Sequence, residues 1–286
     1  MGLLPQIKVL TIQDISCTGR CSITVALPLL SACGFNTSVV PTSVLSTHTG
    51  GFDGYYHRDL TGDMEEILNH WKTLDLKFDA IYVGFLANEG QVDNCIRFIE
   101  ELKGPNTFVF VDPAMADEGQ LYSLLLSDFP NAMRRLIKYA DLICPNMTEA
   151  YMLLGESYSE GPYTPEELEA MASMLADLSE ADVVITGAEN YEGGTGAVSY
   201  DHRSKTFHTY KSKKVPGVFY GAGDVFICAL IGGMLNAMSM EYAIEIACEF
   251  VVDCIERTSA LDCDYRYGVD FERGIPLLLH LLKITE

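Results

Sequence analysis

The chain has 286 residues, of which 48% are hydrophobic and 21% charged, an ordinary globular balance that excludes wholesale disorder. Forty acidic residues against 19 Lys and Arg give a formal net charge of −21, which argues against nucleic acid or an anionic membrane surface as a partner. The length would allow two domains, but no repeat, low-complexity tract or linker divides it, so one domain over 1–286 is expected.

In chain order, residues 1–5 (MGLLP) lack a basic region followed by an apolar core, so no signal peptide is expected and the cytoplasm is the expected compartment. Residues 7–12 (IKVLTI) read as a buried strand, followed by a turn and a helix over 22–33. Residues 38–44 are β-rich, and 60–74 has helical spacing with Met64, Ile67, Leu68 and Trp71 on one face. Strands at 80–85, 107–111, 142–144 and 183–186 alternate with helical stretches at 89–103, 128–139 and 165–179. Thr164, Pro165 and Glu167 have the N-cap, N1 and N3 pattern of a capping box. The alternation predicts an α/β fold with a mostly parallel sheet and helices on both faces.

The pattern changes after residue 190. Gly193-Gly194-Thr195-Gly196 leads into two short β-rich runs, 197–200 and 206–210, which read as an antiparallel hairpin. Helices are expected over 223–237, 240–257 and 270–283, and the apolar run 225–238 is too short to span a bilayer. The nine cysteines form no CxxC pair and sit mostly in apolar runs. They read as small buried residues in a reducing compartment, and Cys17 with Cys21 lacks a second pair to complete a metal site.

The sharpest chemical feature is Gly221-Ala222-Gly223-Asp224, opening an apolar helix. Glycines let a ligand approach the backbone, and a helix N-terminus offers free N–H groups and a positive dipole end. An Asp among those donors acts either as an ordinary N-terminal cap or as a base for a hydroxyl that attacks a phosphate. No GxxxxGK[ST] loop occurs. Asn146 and Glu149, three apart, share a face at a helix start and serve either as caps or as polar ligands. Residues 203–214 hold Arg203, Lys205, Lys211, Lys213 and Lys214 and no acid. Such a stripe either attracts a polyanion or protects an edge hairpin from aggregation.

The Gly221–Asp224 segment resembles the GxGD signature of the ribokinase-like kinases, and the likeness continues through most of the chain in order. Gln13-Asp14 and Leu45-Ser46-Thr47-His48-Thr49-Gly50 resemble substrate-side segments of the pyridoxal kinase branch. Asp112-Pro113-Ala114-Met115 is similar to its DPVMG segment, Asn146-Met147-Thr148-Glu149 to the NxxE motif, and Val184-Ile185-Thr186-Gly187 to the strand end that meets nucleotide phosphates. The resemblance implies a ribokinase-like three-layer sandwich, a homodimer, and ATP-dependent phosphorylation of a B6 vitamer on its hydroxymethyl group. It implies Asp224 as catalytic base and Gly221, Ala222 and Gly223 as the anion hole. It further implies Asp112, Asn146 and Glu149 around Mg²⁺, largely through water. Thr186 and Gly187, with Lys213 and Lys214 from the stripe, are expected at ATP; Asp14, His48, Thr49 and Phe85 are expected around the vitamer. Three departures stand out. Asp14 replaces the usual Ser, Ala222 replaces a common Thr, and Gly50-Gly51 stands where an aromatic is usual, which leaves Phe52 or Tyr55 nearby to meet the ring. A hydroxymethylpyrimidine kinase and a non-catalytic vitamer carrier are the alternatives; a sugar kinase is disfavoured because its Gly-Gly-x-x-x-Asn run is missing.

Overall fold

The computed structural model describes residues 6–189 and 195–284, so Gly193 and Gly194 of the expected turn and the leading residues 1–5 lie outside the described residues. Its first half contains β1 (Lys8–Ser16), α1 (Ile23–Ala32), β2 (Asn36–Leu45), β3 (His57–Asp59), α2 (Thr61–Lys72), β4 (Phe78–Val83), α3 (Glu89–Leu102) and β5 (Lys103–Val111). A two-stranded ribbon follows, β6 (Ala116–Asp117) and β7 (Gln120–Leu121), then α4 (Phe129–Leu136), β8 (Leu142–Ile143), α5 (Met147–Leu154), α6 (Pro165–Ser179) and β9 (Asp182–Thr186). The hairpin β10 (Thr195–Asp201) and β11 (Thr206–Ser212) leads to α7 (Ala222–Leu235), α8 (Met240–Ser259) and α9 (Ile275–Leu281).

Nine strands form one sheet in the order β11-β10-β9-β8-β5-β4-β1-β2-β3. The six from β9 to β2 run parallel, while β10, β11 and β3 pair antiparallel at the two edges. The expected fold class is the observed one. Side chains alternate across the sheet, as a strand's period of two requires. Leu10, Ile12, Ile81, Val83, Val109 and Val111 enter the core covered by α2–α6, whereas Val9, Ala80, Tyr82 and Phe110 enter the core under α1, α7, α8 and α9. Both faces are therefore dry, which is why the parallel strands read as continuous apolar runs.

Three details depart from the sequence expectations. β1 runs four residues beyond 12, through a bulge at Gln13–Ile15, and so carries Asp14 to the sheet's rim. The helix expected at 270–283 begins only at Ile275, because Pro276 fits the first turn of a helix but not its interior. Of the nine cysteines, all free, Cys17 and Cys263 are exposed and the others buried. Among the described residues no helix is long and apolar enough to cross a membrane.

Candidate active site

The parallel strands all end at one rim of the sheet, and chain order reverses there between β1 and β4. Crevices of this kind are where open α/β sheets bind ligands. A cavity of about 660 Å³ occupies that rim, and every site residue anticipated from the sequence lines it. β1 supplies Asp14, and the segments after β2, β4, β5, β8 and β9 supply His48 and Thr49, Phe85, Asp112, Asn146 with Glu149, and Thr186 with Gly187. The link from β11 to α7 supplies Lys213, Lys214 and the glycine loop.

Gly221 is the N-cap of α7 at φ +74°, and a Cβ there would lie 2.0 Å from the Arg20 carbonyl oxygen. Only glycine satisfies both constraints. No side chain caps α7, and a Cβ on Gly223 would meet nothing within 4 Å. The first-turn N–H groups therefore face open space, the arrangement that receives an anion. Asp224 sits in that turn. Burial pushes its carboxyl up to about 7, aided by repulsion from Asp14 and opposed by a hydrogen bond from the Ser22 backbone N–H. A carboxyl held near neutrality is matched to taking a proton from an alcohol.

At the β1–β2 end, Asp14 is buried and accepts from the Ser16 hydroxyl at 3.0 Å. Burial raises its carboxyl, while the Ser22 and Ser16 hydroxyls act in the opposite direction. His48 lines the cavity with both ring nitrogens engaged by backbone. Nδ1 accepts from the Gly50 N–H at 3.1 Å, and Nε2 contacts the Arg266 carbonyl oxygen. These partners select the neutral tautomer with the proton on Nε2, and burial lowers the ring's proton affinity accordingly. His48 thus presents a ring face and edge to the cavity rather than a free nitrogen. Tyr220 packs against it with ring centroids 5.1 Å apart. Gly50 leaves room for that ring, since a Cβ would lie 2.4 Å from it. Phe52 from the same loop packs edge-on against His48, also at 5.1 Å, but does not line the cavity, whose aromatic wall includes Tyr220 and Phe85.

The opposite end is acidic. Burial raises the Asp112 carboxyl well above its usual range, reinforced by Glu149 and Asp224. Glu149 is buried and accepts from the N–H groups of Asn146 at 2.8 Å, Met115 at 3.0 Å and Ala116 at 3.4 Å. Burial still pushes it up to about 8. Asn146 accepts from the Glu149 N–H at 2.9 Å and donates to the Ala116 carbonyl at 2.7 Å. The capping reading of this pair is thereby observed, in a buried rather than solvated form.

Among the described residues no group of three His, Cys, Asp or Glu is placed to ligate a metal directly. Asp112 nevertheless fits a hydrated cation. No described residue hydrogen-bonds its carboxylate, and its neighbours Glu149 and Asp224 are both acids. Mg²⁺ keeps several waters and needs only one or two carboxylates from a protein.

The basic stripe is less free than its sequence suggests. Lys205, Lys213 and Lys214 pair with Asp177, Glu256 and Glu189, acids brought in from other segments. Among the wall residues that sequence reasoning missed are Ser22, Tyr122, Phe219 and Tyr220. A serine and three aromatics outside any motif carry no local signal of a site.

The sequence matches the family described as phosphomethylpyrimidine kinase over residues 23–268. A Bacteroides thetaiotaomicron protein provisionally assigned as a phosphomethylpyrimidine kinase, crystallised with pyridoxal, is 33% identical and superposes with a TM-score of 0.91 over 96% of each chain. Pyridoxal kinase from Lactobacillus plantarum is 27% identical, with a TM-score of 0.88 over 98% of this chain and 99% of its own. The hydroxymethylpyrimidine/phosphomethylpyrimidine kinase of Aquifex aeolicus is 26% identical over 67% of this chain and 72% of its own. This chain belongs to the phosphomethylpyrimidine kinase family, within the pyridoxal kinase branch of the ribokinase-like phosphotransferases.

Proposed function

We propose that the protein transfers the γ-phosphoryl group of ATP to the hydroxymethyl oxygen of a B6 vitamer. The observation that carries this reading is the place of Asp224: a carboxyl near neutrality, in the uncapped first turn of α7, lining the cavity that Asp14 and Asp112 also line. In this reading an alcohol bound at Asp14 meets a phosphate bound at Asp112 beside it.

In this reading Asp224 takes the hydroxyl proton as the oxygen attacks phosphorus. The N–H groups of the loop around Gly221, Ala222 and Gly223 then receive the charge on the transferring group. Asp112 would hold hydrated Mg²⁺, with Glu149 and Asn146 fixing the Met115–Ala116 backbone beside it. The metal would supply charge neutralisation for the nucleotide phosphates. Thr186 and Gly187 would contact those phosphates, and Lys213 and Lys214 would exchange their acidic partners for them. Asp14, Thr49, Phe85 and the His48 ring would enclose the vitamer.

A hydroxymethylpyrimidine is the second reading, favoured by the family description and the Aquifex relative. One experiment separates them: Mg-ATP with pyridoxal, pyridoxine, pyridoxamine and hydroxymethylpyrimidine, with phosphorylated products detected directly. A B6 phosphate as the preferred product by kcat/KM supports the proposal. Preference for the pyrimidine replaces it with the second reading. Vitamer binding without ATP consumption makes the protein a carrier.

A further inference from the structure

Asp14 is a carboxylate without a counter-charge. It is buried, and its Oδ2 accepts from the Ser16 hydroxyl at 3.0 Å. It also lines the cavity, at the point where the register between β1 and β2 shifts across Gln13–Ile15. Irregularities of this kind re-aim side chains beside active sites. A hydroxyl satisfies part of a carboxylate's hydrogen-bonding capacity and none of its charge. A buried charge is costly unless one of opposite sign meets it, and burial raises the Asp14 carboxyl in keeping with that cost.

The nearby cations are committed elsewhere. Arg20, in the turn after β1, pairs with Glu272 at 2.8 Å and Asp270 at 3.9 Å. Arg266 pairs with Asp264 at 2.7 Å and donates to the Gly51 carbonyl at 3.2 Å. His48 is neutral, because one ring nitrogen accepts from the Gly50 N–H while the other meets the Arg266 carbonyl. Lys213 and Lys214 line the cavity but are held by Glu256 and Glu189, each at 2.5 Å. Among the described residues no Lys or Arg forms an ion pair with Asp14. The resembled kinases usually carry Ser here, so the charge is what this chain adds.

We propose that Asp14 selects alcohols that carry a protonated nitrogen: a pyridinium or ammonium group of the substrate supplies the positive charge that the fold withholds from this carboxylate. The pair forms in a buried place, where a charge-assisted hydrogen bond is strong, and an alcohol without a basic nitrogen leaves Asp14 unpaired. Asp14 is thereby a specificity-determining residue, acting on the identity of the alcohol and not on the nucleotide. The proposal rests on the reading above for the class of alcohol.

The test compares native protein with Asp14→Asn and Asp14→Ser. Affinity for pyridoxine and pyridoxamine is measured by equilibrium dialysis without nucleotide, and kcat/KM is measured with Mg-ATP. Asn keeps the shape of the side chain and still accepts from Ser16, but carries no charge. The two vitamers share the ring nitrogen, and pyridoxamine adds a primary amine. Both variants should bind the responsive vitamer ~10–100-fold more weakly, the span of a hydrogen bond to a charged group. The KM of ATP should stay within about twofold of native, and the melting temperature should be no lower, since a buried unpaired charge is gone. A loss for both vitamers places the charge on the ring nitrogen, and a loss confined to pyridoxamine places it on the amine; either supports the proposal. Unchanged affinity for both in Asp14→Asn overturns it, as does an equal loss for ATP, and Asp14→Ser decides if the Asn variant does not fold. Product formation by the native protein tests the parent reading separately. Vitamer binding that responds to Asp14 without any product removes that reading and leaves the charge selection. Native turnover with unchanged variants removes only the charge selection, and no binding of either vitamer removes both.

Discussion

A base acts only when ionised, and Asp224 is held where ionisation is costly. Below about 7 most of it is protonated, so kcat should fall ~tenfold per pH unit on the acid side and level off above. A profile flat from pH 5.5 to 8 would exclude Asp224 as the base. Asp224→Asn should lose ~10²–10⁴-fold in turnover while ATP binding is kept. The same variant should be more stable at pH 8, where the native carboxylate is ionised in its half-buried place and Asn carries no charge. The rise from 3.8 to about 7, at ~1.4 kcal/mol per tenfold, sets a ceiling of ~4 kcal/mol, which solvent in the open cavity reduces to on the order of 1–2 kcal/mol. Thermal melts at pH 8 check the sign. Asp224 was legible because the chemistry shows in four adjacent residues. Tyr220 was not, since a lone aromatic outside any motif does not announce the wall it joins beside His48. His48 was legible as a wall residue, but the backbone partners that occupy its nitrogens come from residues 50 and 266, the second far away in sequence.

At the scale of elements, α5 shows how one short motif serves two needs. Its eight residues would barely persist as an isolated helix. The Asn146–Glu149 capping box starts it, and Glu149 also holds the ribbon segment that follows Asp112. Glu149→Gln places an amide donor among three backbone donors, so some pairs are lost. The expected cost is ~1–3 kcal/mol, measured as a lower melting temperature without ligand; a native melting temperature would leave Glu149 no structural role. Sequence spacing indicated that Asn146 and Glu149 share a face and left the choice between cap and ligand open. What decides is the contact with Met115 and Ala116, some 30 residues earlier, which local pattern cannot carry. The long elements were readable because their apolar faces repeat many times. β3, β6 and β7 escaped because two or three residues are too few to show a period.

Across the whole molecule, the fold gathers acids that the sequence spreads over two hundred residues. Asp14, Asp112, Asp117, Glu149 and Asp224 all line one cavity, and burial raises each of them. In the unfolded chain these groups ionise near pH 4. Between about pH 4 and 8 the native protein therefore holds more protons than the unfolded chain, so their contribution to stability falls as pH rises. The net charge of −21 adds self-repulsion in the same direction. A divalent cation bound at Asp112 offsets that repulsion only where the carboxylates are ionised, because at lower pH it competes with protons. Magnesium without nucleotide should therefore raise the melting temperature more at pH 8.5 than at pH 6, and Asp112→Asn should remove most of the difference. Since a cation that binds only the native state stabilises it by mass action, the comparison needs equal magnesium at both pH values. An equal rise at pH 6 and 8.5, unchanged in Asp112→Asn, would place the cation elsewhere and leave Asp112 to contact substrate alone.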